Sequence, residues 1–107
     1  MEKTLNRDLE RQFDEAMFSI YRRALYECGY NATRFLQMLR EHGGLQTAKI
    51  LLHSPGFQYG FEKLWELGRL DLAVEALILK SPWNKFFTDE EKEIARRRLT
   101  DCGFIPD

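Results

Sequence analysis

The sequence predicts an all-α fold, a compact irregular bundle of five to six helices joined by short turns containing Gly or Pro. Three observations predict it. Apolar residues recur every third or fourth position from end to end, and no segment alternates with period two. Helix-stopping and helix-starting residues punctuate those runs at spacings suited to short helices. The composition, 44% apolar and 13% aromatic over 107 residues, supplies one core and leaves too little chain for two. Residues 1–6 are polar and expected to fray; residues 7–107 form the single helical domain.

Each element follows from its own residues. Leu9, Phe13, Ala16, Met17, Ile20 and Ala24 line one face of a first helix over Arg7 to Cys28. Gly29 ends it in a left-handed cap, with Tyr30 folding back. Asn31 is the expected N-cap of a second helix, with Ala32, Phe35, Leu36 and Leu39 inward, and Gly43-Gly44 breaks it. Leu45, Ala48 and Leu52 mark a third, short helix, followed by a His53-Ser54-Pro55-Gly56 turn. Phe57, Phe61, Leu64 and Trp65 mark a fourth, closed by Gly68. Leu70 to Leu79 carries only Asp71 and Glu75 as charges, so a fifth helix is expected at the centre of the bundle. After Ser81-Pro82-Trp83-Asn84, the last helix opens on Thr88-Asp89-Glu90-Glu91, a capping box, and runs to Cys102 before Gly103-Phe104.

The totals narrow the function classes. Sixteen basic residues against seventeen acidic ones give a net charge of −1, unlike domains whose affinity comes from neutralising phosphates. Two cysteines, Cys28 and Cys102, are too few to staple a secreted miniprotein. The N-terminal residues lack an apolar leader, and the longest apolar run is far short of a membrane span. A cytoplasmic protein with reduced thiols and no membrane association is expected.

Several constellations could carry chemistry. Phe35 through Leu52, around Gly43-Gly44, invites a helix-turn-helix reading with Gln46, Thr47 and Lys49 as base readers. Bulky Leu39 sits where that motif needs a small residue, so a plain helical hairpin fits better. Arg96, Arg97 and Arg98 form the densest basic cluster, and Arg22, Arg23, Arg34 and Arg40 could join it as a nucleic-acid surface. Arginines late in a helix that opens on acids also satisfy the helix dipole. Asp71 and Glu75 stand one turn apart, as a metal-binding or acid/base carboxylate pair would; the structural reading has Asp71 favour the helix N-terminus while Glu75 takes an arginine, Arg69 or one from another helix. His42 and His53 share no metal-ligand spacing with a cysteine or carboxylate, and no catalytic string occurs. No catalytic residue, metal, cofactor or small-molecule substrate is expected. Both cysteines lie at helix C-terminal ends, where the dipole disfavours a thiolate.

The remaining signal is an apolar surplus. Phe18 and Leu25 fall outside the main stripe of the first helix, and Tyr26, Tyr59, Trp83, Phe86 and Phe87 add rings that short helices need not all bury. Aromatics left at a surface tend to mark partner sites. The leading expectation is a non-catalytic binding module that associates with another protein, or with itself, through aromatic surface near Phe18, Leu25, Trp83 and Phe87. The alternative is a nucleic-acid accessory domain using the seven arginines named above.

The order of motifs adds to this reading. Residues 30–36 (Tyr-Asn-Ala-Thr-Arg-Phe-Leu), Gly43-Gly44 with Ala48, residues 64–72 (Leu-Trp-Glu-Leu-Gly-Arg-Leu-Asp-Leu), Val74-Glu75-Ala76-Leu77, Phe87 through Glu91, and Ala95-Arg96-Arg97-Arg98-Leu99 together resemble a small uncharacterised prokaryotic helical domain. The resemblance spans about Phe13 to Phe104. Such domains occur alone or appended to larger proteins, some similar to restriction-type nucleases, and have no agreed activity. The resemblance implies an accessory or recognition module and supplies no catalytic residues.

Overall fold

Leu9, Phe13, Met17, Ile20 and Ala24 repeat at helical spacing, and in the computed structural model they line the inner face of α1 (Glu2–Cys28). The structure describes the backbone of residues 2–54 and 59–106, and side chains over 7–54 and 60–106. Four further helices follow: α2 (Thr33–His53), α3 (Tyr59–Glu66), α4 (Val74–Ile78) and α5 (Asp89–Asp101). Two 3-10 turns, Leu70–Leu72 and Trp83–Phe86, precede α4 and α5. No strand occurs among the described residues. The chain is an all-α bundle. No helix among the described residues is long and apolar enough to cross a membrane.

A left-handed glycine ends three helices, with a Schellman pair of bonds at Gly68 and Gly103 and a wider pair at Gly29. Tyr30 N–H reaches the Ala24 carbonyl at 3.0 Å, Arg69 N–H the Leu64 carbonyl at 2.8 Å, and Phe104 N–H the Leu99 carbonyl at 2.9 Å. Gly29, Gly68 and Gly103 sit just before those donors at φ of +69°, +71° and +79°, the left-handed geometry such ends require. At the start of α5, Thr88 Oγ1 accepts from Glu91 N–H at 3.1 Å, and Glu91 Oε1 accepts from Thr88 N–H at 2.9 Å, completing the capping box.

Three local expectations need correction. α1 begins at Glu2, not Arg7, because polar Glu, Lys and Arg are good helix formers even without an apolar stripe. Asn31 is not the N-cap of α2: Ala32 holds that position without a side-chain cap, and Asn31 accepts a 2.6 Å bond from the Tyr21 hydroxyl instead. The second and third expected helices are present as the two halves of α2, broken as expected at Gly43, whose φ of 79° and ψ of 171° are not helical. The apolar run Leu70 to Leu79 is a 3-10 turn and a short α-helix divided at extended Ala73. It is nonetheless almost wholly buried and central. Phe57, Pro55 and Gly56 lie outside the described residues.

The bend in α2 has a tertiary cause. Gly44 N–H, freed by the break, donates to Asp14 Oδ1 of α1 at 2.6 Å, so Asp14 caps the second half of α2 from a neighbouring helix. The helices approach so closely there that a Cβ on Gly44 would lie 2.7 Å from Asp14 Oδ1, 3.1 Å from Asp14 Cα and 3.2 Å from Met17 Cγ. Thr47, fully buried just beyond, donates its hydroxyl to the Met38 carbonyl at 3.0 Å and closes the inside of the bend.

Two apolar clusters result. One joins Phe13, Met17, Leu39, Leu52, Ile78 and Phe87; the other joins Ala24 at the end of α1 to Phe61, Leu64, Leu70, Leu72 and Leu99. Gly44→Ala is expected to destabilise the fold by about 1–3 kcal/mol through overpacking. The same change on an exposed helix stabilises by up to about 1 kcal/mol. Urea denaturation reads the sign directly.

Candidate functional site

The aromatic patch expected near Phe18, Leu25, Trp83 and Phe87 is largely consumed by the core. Phe87 is 5% exposed. Its ring meets Phe13 edge-on at 5.8 Å, while Trp83 and Phe86 tilt against the same Phe13 at 5.6 and 6.1 Å. Lys49 Nζ lies 5.1 Å from the Phe87 ring centroid and covers it. Phe87 is therefore corrected from a surface ring to a core ring: a fully buried Phe13 needs apolar partners, and the segment after the α4 turn supplies all three. Phe18 and Trp83 are half-buried against this first cluster, and Leu25 is half-buried on the outer flank of α1. Among the described residues, the large apolar side chains left exposed are Tyr26, Trp65, Leu67 and Ile105; of the surplus rings this includes Tyr26, while the side chain of Tyr59 lies outside the described residues.

The seven arginines have different employments. Arg98 is a structural residue, not a surface one. Its guanidinium donates to Glu75 Oε2 at 3.0 Å and to the carbonyls of Leu51, Leu52 and Ser54 at 3.0, 3.1 and 2.7 Å. It thereby caps the C-terminus of α2 while neutralising Glu75, which is 4% exposed on α4. Arg23 pairs with Glu27 one turn on at 2.8 Å, and Arg96 lies 3.7 Å from Glu93. Arg22, Arg34, Arg40 and Arg97 are exposed on three different helices. Of the base readers in the helix-turn-helix alternative, Thr47 is buried and Lys49 is held by Glu91 at 2.9 Å, leaving Gln46 exposed.

Asp71 and Glu75 do not share a site. Ala73 separates them, and each faces its own cation: Arg69 Nε and Nη2 grip the Asp71 carboxylate at 3.0 and 3.1 Å, and Glu75 faces Arg98. The Arg69 fork also reaches Glu27 Oε1 at 2.8 Å, tying the end of α1 to the segment after α3. Arg23 and Arg69 together hold the Glu27 carboxyl down, to about 2. Cys28 Sγ accepts a weak 3.7 Å contact from Arg69, and burial pushes the Cys102 thiol up. Among the described residues, no group of three His, Cys, Asp or Glu side chains could hold a metal ion.

Glu91 is a second buried hub. Its Oε1 accepts from Lys49 at 2.9 Å and its Oε2 meets His53 Nε2 at 2.8 Å, so α5 is held at its N-terminus to the second half of α2. Burial acts to raise the Glu91 pKa. The hydrogen bonds from Lys49, the Thr88 backbone and His53 outweigh it and lower the value from 4.5 to about 2.

A groove of about 500 Å³ opens between α1, α2, α3 and the Leu72–Glu75 stretch. Among the described residues, four aromatic side chains line it, Tyr21, Tyr30, Phe35 and Phe61, with Ile20 and Met38 between them. The Tyr21–Asn31 hydrogen bond draws the turn after α1 across one side, which is why Asn31 no longer caps α2. Arg34 stands at the lining beside Thr33, in the first turn of α2, and Glu75 lies inside with its charge answered by Arg98. Its volume falls in the range of known ligand pockets, and its walls are mostly apolar with few polar groups. Of these residues the sequence singled out Arg34 and Glu75 as site candidates, each for another role. The local signal available was the aromatic-polar run Tyr30 to Phe35 between two helices; the walls contributed by Tyr21 and Phe61 come from elsewhere in the chain.

Two consequences are measurable. Arg98→Ala leaves Glu75 buried without a counter-charge and three carbonyls without a donor, and is expected to cost about 3–5 kcal/mol in chemical denaturation. Folding lowers the Glu91 pKa, so its paired carboxylate adds stability that is fully present above 4.5 and lost as pH falls toward about 2. The melting temperature of Glu91→Gln, lower than wild type at neutral pH, is expected to change less across that interval. No family model, curated protein or solved structure was found to match the chain, so its function is argued from this geometry alone.

Proposed function

We propose that the protein is a non-catalytic binding module that receives an apolar segment of a partner protein in the aromatic groove between α1, α2 and α3. The observation that carries this reading is the groove itself: about 500 Å³ with Tyr21, Tyr30, Phe35 and Phe61 on its described walls, in a domain that packs Trp83, Phe86 and Phe87, ahead of α5, onto Phe13. Aromatic side chains offer large contact area with few rotatable bonds, which is why they dominate the energetics of protein interfaces. Around Trp83 and Phe87, the surface first expected to bind, the rings pack on Phe13; Phe61 is likewise core and forms part of the groove's floor. The nucleic-acid alternative draws less support: Arg98 is committed inside the fold, Arg23 and Arg96 have acidic neighbours, and the net charge is −1.

A random peptide library displayed on phage tests the reading. Panning on the immobilised protein is expected to enrich peptides with spaced apolar residues, and Ala32→Trp, which places an indole at the groove lining, is expected to weaken their binding at least tenfold. Phe35→Ala, removing one wall, should weaken it as well. Enriched peptides that bind Ala32→Trp and wild type equally, or no enrichment over bare support, would refute the groove as the partner site. Circular dichroism melts of both variants separate loss of binding from loss of fold.

A further inference from the structure

The groove carries one charge that the fold does not answer. Among its lining residues only Arg34 and Glu75 are ionised, and Arg98 neutralises Glu75 from below at 3.0 Å. Arg34 makes no hydrogen bond or ion pair among the described residues, in contrast to Arg23, Arg69 and Arg98, each held by a carboxylate. It is exposed, so it is fully hydrated until something docks. The first turn of α2, which lacks a side-chain cap, adds partial positive charge on the same side.

An apolar segment laid into the groove removes water from this guanidinium. A covered charge without a partner is unfavourable, and a lysine on the incoming segment would add like-charge repulsion. A carboxylate on that segment relieves both, and it matches the planar fork of Arg34. From this charge complementarity we infer that the groove selects an apolar partner peptide bearing an acidic residue, with Arg34 as the residue that reads the acid. The inference rests on the groove being the partner site. Apolar wall contacts supply affinity, and Arg34 sets which apolar segments are accepted, since specificity is a difference between affinities.

Three phage libraries of one apolar design, with Glu, Gln or Lys fixed at a single position scanned along the peptide, put this to the test. Wild-type protein is expected to favour the Glu library over the Lys library about fivefold, as an exposed charge pair gives, and raised salt should shrink the preference. Arg34→Gln should abolish it, and Arg34→Glu should invert it toward Lys. Because Arg34 has no partner among the described residues, the variants are expected to melt with wild type. Equal enrichment of the three libraries, with binding still lost in Ala32→Trp, would overturn the role of Arg34 and leave the groove standing. Enrichment of none would remove both readings.

Discussion

The guanidinium of Arg98 is the interaction on which the arrangement of helices depends. It sits on α5, its acidic partner Glu75 is on α4, and the carbonyls of Leu51, Leu52 and Ser54 belong to the end of α2. The end of a helix leaves carbonyls with no intrahelical donor, and burying them unanswered is costly. Arg98 answers them with a charged donor and in turn requires a buried anion, which Glu75 provides. Each group satisfies a need that another creates. Ion pairs of this kind add little net energy over an apolar replacement, yet they penalise every arrangement in which one partner is missing. They select one packing among many that would bury a similar apolar area.

A second set of contacts acts on the other flank. Gly43 and Gly44 interrupt α2, Asp14 of α1 caps the restarted helix, and the missing side chain at Gly44 lets the two backbones close together. Glu91 then holds the restarted half, through Lys49 and His53, to the start of α5. Capping residue and capped helix thus come from different elements in two places, so α2 owes its shape to its neighbours. The bend directs the first half of α2 along one side of the groove, with Phe35 and Met38 on its wall, while Ile50 and Leu51 of the second half reach the same space.

Aromatic residues divide between these tasks. Trp83, Phe86 and Phe87 wrap Phe13 and stabilise one cluster, whereas Tyr21, Tyr30, Phe35 and Phe61 line an open groove above the second. The difference lies in what faces each set. Phe13 is a large, fully buried ring projecting from α1 into the space beneath the Trp83 turn. Among the described residues lining the groove, Ala24 and Ala73 are small and buried. Small residues beneath large aromatic walls leave volume unfilled.

Local patterns determined a large share of this protein. Apolar spacing placed α1, α2, α3 and α5, and the three glycine ends and the Thr88–Glu91 box could be read directly, because each depends on residues within one or two turns of each other. The Gly43 break was equally visible, since few residues besides glycine adopt that backbone geometry. Tertiary structure decided the rest. Asn31 looked like a cap and became a partner of Tyr21; Arg98 looked like a solvated helix end and became the central buried cation; Phe87 looked surplus and became core. In each case the deciding partner lies ten or more residues away in the chain. A side chain's periodicity records which way it points from its own helix, while what it meets there depends on how the other helices pack.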